Sequence, residues 1–341
     1  MKRALFLGGT GTISEAVCAL AARQGWALTL VNRGNSAQRA PEGAEILHAD
    51  VRDKDALAKV LAGRSFDVVA DFIAYTPADV ERDMELFDGR TGQYLFISSA
   101  SAYQKPLAAL PITESTPLSN PFWKYSQNKI ACETVLCARM RETGFPVTIV
   151  RPSHTYCERK APVAIHGAHG NWQVLARMKA GKPTIIPGDG TALWTATHST
   201  DFAKGFVGLM GNPRALGSAV HITSDEALSW NQIYAILAKA LGVELNSVHI
   251  ATDFLVACQE QYDFRGELLG DKCANVLFDN TKIKRLVPDF VCTVSMAEGL
   301  RQAVEYMCTH SECQTPDPEF DDWCDRVCAA HQAGQNAFFN R

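Results

Sequence analysis

The chain is constrained most by its start. The apolar run Ala4-Leu5-Phe6-Leu7 leads directly into Gly8-Gly9-Thr10-Gly11-Thr12-Ile13-Ser14. An amphipathic pattern comes next, with Ile13, Ala16, Val17, Leu20 and Ala21 at helical spacing. A strand, a glycine turn and a helix in this order present backbone N–H groups and the positive end of a helix dipole to an anion. In doubly wound α/β proteins that anion is commonly the pyrophosphate of a dinucleotide. The alternative is a tight turn that holds no ligand.

The segments downstream of the turn favour the ligand. Short, nearly continuous apolar segments alternate with helical patterns: Ala27–Val31, Glu45–His48, Asp67–Ile73, Tyr94–Ser98 and Val147–Val150 as strands, Lys54–Ala62 and Ala78–Phe87 as helices. Such strands are buried on both faces of a parallel sheet, and right-handed crossovers make the sheet doubly wound. The predicted fold class is therefore α/β, with a smaller, mostly helical C-terminal domain. Residues 1–152 form the dinucleotide-binding domain, with a return segment near 196–224 that includes Ala192–His198 and the strand Ala219–Thr223. Residues 153–195 and 225–341 form the substrate domain, with helices at Trp172–Ala180, Asn231–Leu241, Asp253–Tyr262, Met296–Met307 and Glu319–His331.

Composition narrows the function classes. A net charge of −4 gives no global basic footprint for nucleic acid. No apolar run is long enough for a membrane span, and the start does not read as a signal peptide, so a cytoplasmic protein is expected. The eleven cysteines include no C-x-x-C pair and match no zinc spacing, even in the cluster Cys308, Cys313, Cys324 and Cys328. They read as reduced thiols, and no metal site is expected.

Tyr125 and Lys129 stand four residues apart in a helical run, on one face. An ammonium beside a phenol favours the phenolate and makes it a usable base. Alone the spacing describes an ordinary surface pair. The context is the end of the fifth strand, Phe96-Ile97-Ser98-Ser99-Ala100-Ser101-Ala102-Tyr103, where hydroxyls cluster at the ligand end of a parallel sheet. A serine there polarises a substrate oxygen, or else caps the strand and satisfies loop amides.

Taken together these segments resemble the extended short-chain dehydrogenase/reductases, the NAD(P)-dependent sugar epimerase/dehydratase group. The resemblance rests on Gly8–Ile13, Ala49-Asp50-Val51-Arg52-Asp53, Phe96–Ser99, Tyr125 with Lys129, Arg151–Tyr156 and Gly188-Asp189-Gly190-Thr191. It implies a Rossmann sheet and a cofactor that is NAD or NADP. It implies Ser99, Tyr125 and Lys129 as the catalytic set, with Tyr125 the acid/base and Lys129 on the cofactor ribose. The cofactor set it implies is Gly8, Thr10, Gly11, Thr12, Ile13, Asn32, Arg33, Asp50, Val51, Phe72, Ala74, Ser98, Tyr125, Lys129, Pro152 and His154. Ser101, His154, Trp172 and Trp194 are the substrate-side candidates, and a homodimer is the assembly left open.

The departures matter as much. Ser14 stands where the family's turn has a third glycine. Asn32 replaces the acid that reads the ribose, and Arg33 after it could pair with a 2′-phosphate, so NAD and NADP both stay open. Ala100-Ser101 lacks the Asp-Glu pair of the 4,6-dehydratases. Trp194 stands where nucleotide-sugar enzymes carry a diphosphate-binding arginine, so the substrate need not be a nucleotide sugar. Trp172 and Trp194 serve equally well as core aromatics, and His154, His166, His169 and His198 as loop histidines bonded to backbone. The expected activity is epimerisation of a sugar or sugar derivative through a transient ketone. The alternative is net oxidation or reduction of a sugar or small carbonyl compound. RNA binding, known in a non-catalytic branch of the superfamily, is disfavoured by the charge and by the complete Ser/Tyr/Lys set.

Overall fold

The computed structural model describes residues 1–34 and 39–339. Six strands arise in chain order: β1 (Arg3–Leu7), β2 (Ala27–Asn32), β3 (Glu45–His48), β4 (Val68–Asp71), β5 (Tyr94–Ile97) and β6 (Val147–Pro152). Four short ones come after them, β7 (His154–Tyr156), β8 (Thr184–Pro187), β9 (Leu193–Trp194) and β10 (Ala196–His198). The chain then returns with β11 (Ala219–Ile222). β11 pairs in parallel with β6, Val220 opposite Val150, and completes a seven-stranded parallel sheet of order β11-β6-β5-β4-β1-β2-β3. Strand order reverses between β1 and β4, which places a ligand crevice at their carboxyl ends.

The alternation of residues along β1 divides the core between two faces. Ala4 and Phe6 face α1 (Ser14–Arg23) and a later helix that supplies Phe202, Phe206 and Val207. Leu5 and Leu7 face α2 (Lys54–Val60) and α3 (Pro77–Phe87), and with them α4 (Lys124–Thr143). α3 opens on a capping box, the Thr76 hydroxyl and the Asp79 carboxylate each serving the other's backbone, with Pro77 in the first turn. α4 stops at Gly144, whose φ of +75° only glycine adopts readily.

The remaining helices are α5 (Trp172–Lys179), α6 (Ser199–Leu209), α7 (Trp230–Leu241), α8 (Thr252–Ala257), α9 (Thr281–Leu286), α10 (Met296–Thr309) and α11 (Pro318–Phe339). α5, α7, α10 and α11 share a third apolar cluster around Trp194, Trp230 and Trp323. Among the described residues, no helix is long and apolar enough to cross a membrane.

Two expectations about elements need correcting. Ala192–His198 does not rejoin the central sheet: β10 pairs with β7, and β9 pairs antiparallel with β12 (Leu228–Ser229). The helix expected over Asp253–Tyr262 ends at Ala257, because Glu260 takes a left-handed φ of 50° and Tyr262 folds back to stack on Phe264. A last strand, β13 (Ser247–Ile250), pairs with β8 and had no counterpart in the periodicity.

Candidate active site

β1 runs into a turn where Gly8 and Gly9 hold φ of +99° and +114°. A Cβ on Gly9 would stand 3.1 Å from Leu30, so backbone alone fits there. At Ser14 the third glycine is replaced by a hydroxyl that accepts from the Gly11 amide at 2.9 Å, which stiffens the turn from within. A cavity of about 410 Å³ lies over this turn, lined by residues 8–14 with Phe72, Ile73, Tyr75 and Ile97. A second, of about 250 Å³, continues past Gly8, Thr10, Ile73 and Tyr75 to Asn32, Arg33, Asp50 and Val51.

This groove fits a dinucleotide on the evidence of its own atoms. Asn32 Oδ1 accepts from the Gly34 amide at 2.8 Å, and its buried Nδ2 has no hydrogen-bond partner among the described residues, a donor open to a ribose or phosphate oxygen. Arg33 beside it is exposed and makes no ion pair with a described residue.

The Lys129 side chain is buried. Its ammonium donates to the carbonyls of Ala74 and Ile97, both at 2.7 Å, below the face of Tyr75. Burial lowers its pKa to about 8, against the pull of Asp71, Cys132, Asp79 and Glu133. Tyr125 lies beside it, with the ammonium 5.8 Å from the ring centre. Burial holds the Tyr125 phenol above its ordinary pKa, Tyr75 and Asp271 add to the rise, and only the Ser99 hydroxyl works against it. Burial thus favours the protonated Tyr125 phenol, while the Lys129 ammonium is bonded to the two carbonyls.

Ser99 and Tyr125 share a cavity of about 300 Å³ with Ser101, Trp123, Pro152, His154, Trp194, Asp271 and Phe278 in its wall. Ile13 lines both this cavity and the one over the glycine turn. The hydroxyls form a relay: Ser126 donates to Ser101 at 2.7 Å, and Ser101 lies 2.8 Å from Ser99. Accepting from Ser126, Ser101 can donate onward to Ser99, and in that arrangement the Ser99 proton is left for a ligand. His154 packs on Trp194 with the rings tilted, 4.6 Å between centres, and its buried Nε2 has no partner among the described residues. Burial first, then Lys272 and Lys160, keeps its imidazole neutral.

Not every sequence candidate lies here. The Ser98 hydroxyl is taken by Glu133 at 2.5 Å, and Glu133 is clamped by Arg151 at 2.9 and 2.6 Å, so Ser98 offers the groove no side chain. Trp172 packs on the third apolar cluster under Lys179 and does not line the cavity. Trp194 is both wall and core, 1% exposed and packed at a tilt on Trp230. His166 bonds the Gly167 carbonyl, as a loop histidine does.

Several wall residues had no signal in the sequence. Trp123 precedes Tyr125 and packs on it at 4.9 Å between ring centres. Asp271 arrives on a π-helical segment, Arg265–Lys272, whose Gly266 and Gly270 lie flat on Trp123. Burial raises the Asp271 carboxyl, and it forms no ion pair with a described residue. No Lys or Arg lines this cavity among the described residues, and these residues hold no cluster of His, Cys, Asp and Glu able to bind a metal.

Residues 4–223 match the model of the NAD dependent epimerase/dehydratase family. The chain belongs to that family. As a member of the epimerase/dehydratase family it takes a nicotinamide dinucleotide, NAD or NADP. It is 26% identical over 288 residues to the 2'-dehydrokanamycin reductase of Streptomyces kanamyceticus, covering 84% of this chain and 80% of that one. It is 27% identical over 254 residues to the chloroplast stem-loop binding protein of 41 kDa b from Arabidopsis thaliana, covering 71% of this chain and 64% of that protein. In fold it is similar to the UDP-glucuronic acid 4-epimerase of Bacillus cereus, solved with UDP-glucuronic acid and NAD, at a TM-score of 0.72 and 19% identity over 90% of this chain and 99% of that one.

Proposed function

We propose that this family member is an NAD(P)-dependent oxidoreductase that interconverts a ketone and a secondary alcohol on a small sugar-like ring. The observation that carries the reading is the junction at Ile13: the cavity holding Ser99 and Tyr125 adjoins the dinucleotide groove there. Residues 153–195 and 225–341 are then the substrate domain, since Trp194, Asp271 and Phe278 come from them.

In the reductive direction Ser99, fed by Ser101 and Ser126, donates a hydrogen bond to the ketone oxygen and stabilises the charge that develops on it. Tyr125, held protonated by burial, gives that oxygen its proton. Lys129 holds the ribose hydroxyls in place once its ammonium is offered to them. Asn32 and Arg33 hold the adenosine end. The bound reduced cofactor supplies the hydride. The balance is ketone plus NAD(P)H plus a proton to alcohol plus NAD(P)⁺.

Trp123, Trp194 and Phe278 offer faces for a sugar ring, and Asp271 accepts its hydroxyl protons. A wall without Lys or Arg among the described residues offers no cationic grip on a diphosphate. That favours net redox over epimerisation, where the ketone must turn over between two hydride transfers while a remote group anchors it. The similarity to a 2'-dehydrokanamycin reductase along most of both chains points the same way.

Stoichiometry decides between the two. With polyhydroxylated ketones offered one at a time, net reduction consumes one NAD(P)H per ketone lost. Epimerisation converts substrate with no net change in the nicotinamide absorbance, and that outcome would replace this reading.

A further inference from the structure

Tyr75 lies just beyond β4 and is 49% exposed, unlike the apolar strand that delivers it. It lines both cavities of the dinucleotide groove and stands with Gly8, Thr10 and Ile73 at their partition. Its backbone is pinned: the Tyr75 and Thr76 amides both donate to Asp79 Oδ2, at 3.0 and 2.8 Å. Its ring is 4.6 Å from the Lys129 ammonium and 6.2 Å from the Tyr125 ring. Tyr125 thus lies between Tyr75 on the groove side and Trp123 on the substrate side.

We propose that Tyr75 is a positioning residue for Lys129: its ring face keeps the buried ammonium charged and aimed at the partition, where the dinucleotide must cross from one half of the groove to the other. The proposal rests on the NAD(P) reading of that groove and adds a determinant of how the cofactor is held.

The need for such a residue arises from the surroundings of Lys129. It is 1% exposed, and the partners within hydrogen-bond reach are two neutral carbonyls. The acids that face it do so without an ion pair: Asp71 from β4, Asp79 from α3, Glu133 and the Cys132 thiol from α4. Asp79 is committed to the α3 cap, Glu133 to Arg151, and Asp71 to the amides of Ile73 and Ala74. To the longer-range pull of these acids are added three π faces, Tyr75 at 4.6 Å, Phe96 at 5.0 Å and Tyr125 at 5.8 Å. A cation over an aromatic face gains more as water is excluded. Of the three rings only Tyr75 is exposed, so it alone meets the groove while lying over the ammonium and can be replaced without disturbing the core.

The test is calorimetric titration of the purified full chain with NAD⁺ and with NADP⁺ on both sides of pH 8, for the wild type, Tyr75→Phe and Tyr75→Leu. Lys129 is charged below its pKa and neutral above it, so wild-type affinity falls as pH rises through about 8. Tyr75→Phe keeps the ring and keeps the wild-type midpoint and affinity. Tyr75→Leu fills similar space without a π face. Its midpoint moves to lower pH by roughly half a unit to one unit, and its affinity at neutral pH falls by about threefold to tenfold. Thermal melts of the three proteins in the absence of cofactor check that the fold is retained. An unmoved midpoint in Tyr75→Leu overturns the proposal, as does a Tyr75→Phe variant equally impaired, since the ring would then not be what acts. A wild type that binds neither dinucleotide overturns the NAD(P) reading itself, an outcome separate from either variant's behaviour.

Discussion

At the scale of single residues, Tyr125 shows how burial sets the direction of a proton. Its phenol is desolvated and lies near Tyr75 and Asp271, so the neutral form is favoured until a ligand changes the field. Tyr125→Phe removes the proton and leaves the packing against Trp123. Turnover should fall roughly 10²-fold or more, with dinucleotide affinity by calorimetry unchanged; near-normal turnover would remove Tyr125 from the mechanism. Arg33 allows a second check. Asn32 stands where an acid would repel a 2′-phosphate, and Arg33 after it is exposed to the same groove, so Arg33→Ala should weaken NADP by about tenfold and leave NAD nearly as it was. Equal losses for both cofactors would show that Arg33 does not read the 2′-phosphate. The glycine turn and the Tyr125/Lys129 pair stood out in the sequence because turn chemistry and a four-residue helical spacing are local facts, and Ser99 because hydroxyls cluster at the end of the fifth strand, while their roles came with the family resemblance. The Ser126–Ser101–Ser99 relay was not, because a hydroxyl's partner depends on where α4 lies against the end of β5. Nor was the loss of Ser98 to Glu133, which requires knowing that Arg151 is buried beside them.

At the scale of elements, the substrate wall depends on one irregular segment. The π-helical turn Arg265–Lys272 carries Asp271 and rests on Trp123 through two glycines. A Cβ at Gly266 would stand 2.3 Å from Trp123 Cδ1, and one at Gly270 would stand 2.8 Å from Trp123 Cβ. Gly270→Ala should therefore push Trp123 against Tyr125. A destabilisation of about 1–3 kcal/mol is expected from overpacking, read as a lower melting temperature, together with a raised KM and unchanged cofactor affinity. A variant with wild-type KM would show that the contact is only structural. The regular elements were readable because parallel strands buried on both faces advertise themselves as apolar runs, as in Val147–Val150. The π-helix was not, since its sequence, RGELLGDK, has no apolar stripe. The pairing of β10 with β7 was also hidden: Ala192–His198 looks like a sheet strand, and only the fold decides which edge it meets.

At the scale of the whole molecule, the sheet and the third cluster depend on each other through chain order. β6 gains its outer neighbour only from β11, after the chain has built β7 to β10 and α6. A chain ended at Pro152 would leave β6 with an open apolar edge. Such a fragment should elute as aggregate on size exclusion and fail to bind dinucleotide. A monodisperse, binding fragment would show that the first six strands suffice.

The same late strand has a consequence during synthesis. The 70 residues that follow Pro152, up to Ile222, must leave the ribosome before β6 can be covered. At typical elongation rates of about 5–20 residues per second, that is on the order of 4–14 s. For that interval a nascent sheet, already able to form its glycine turn, carries a sticky margin beside other emerging chains. Slow codons placed within this stretch would lengthen the exposure, and a holding chaperone would be needed most just then.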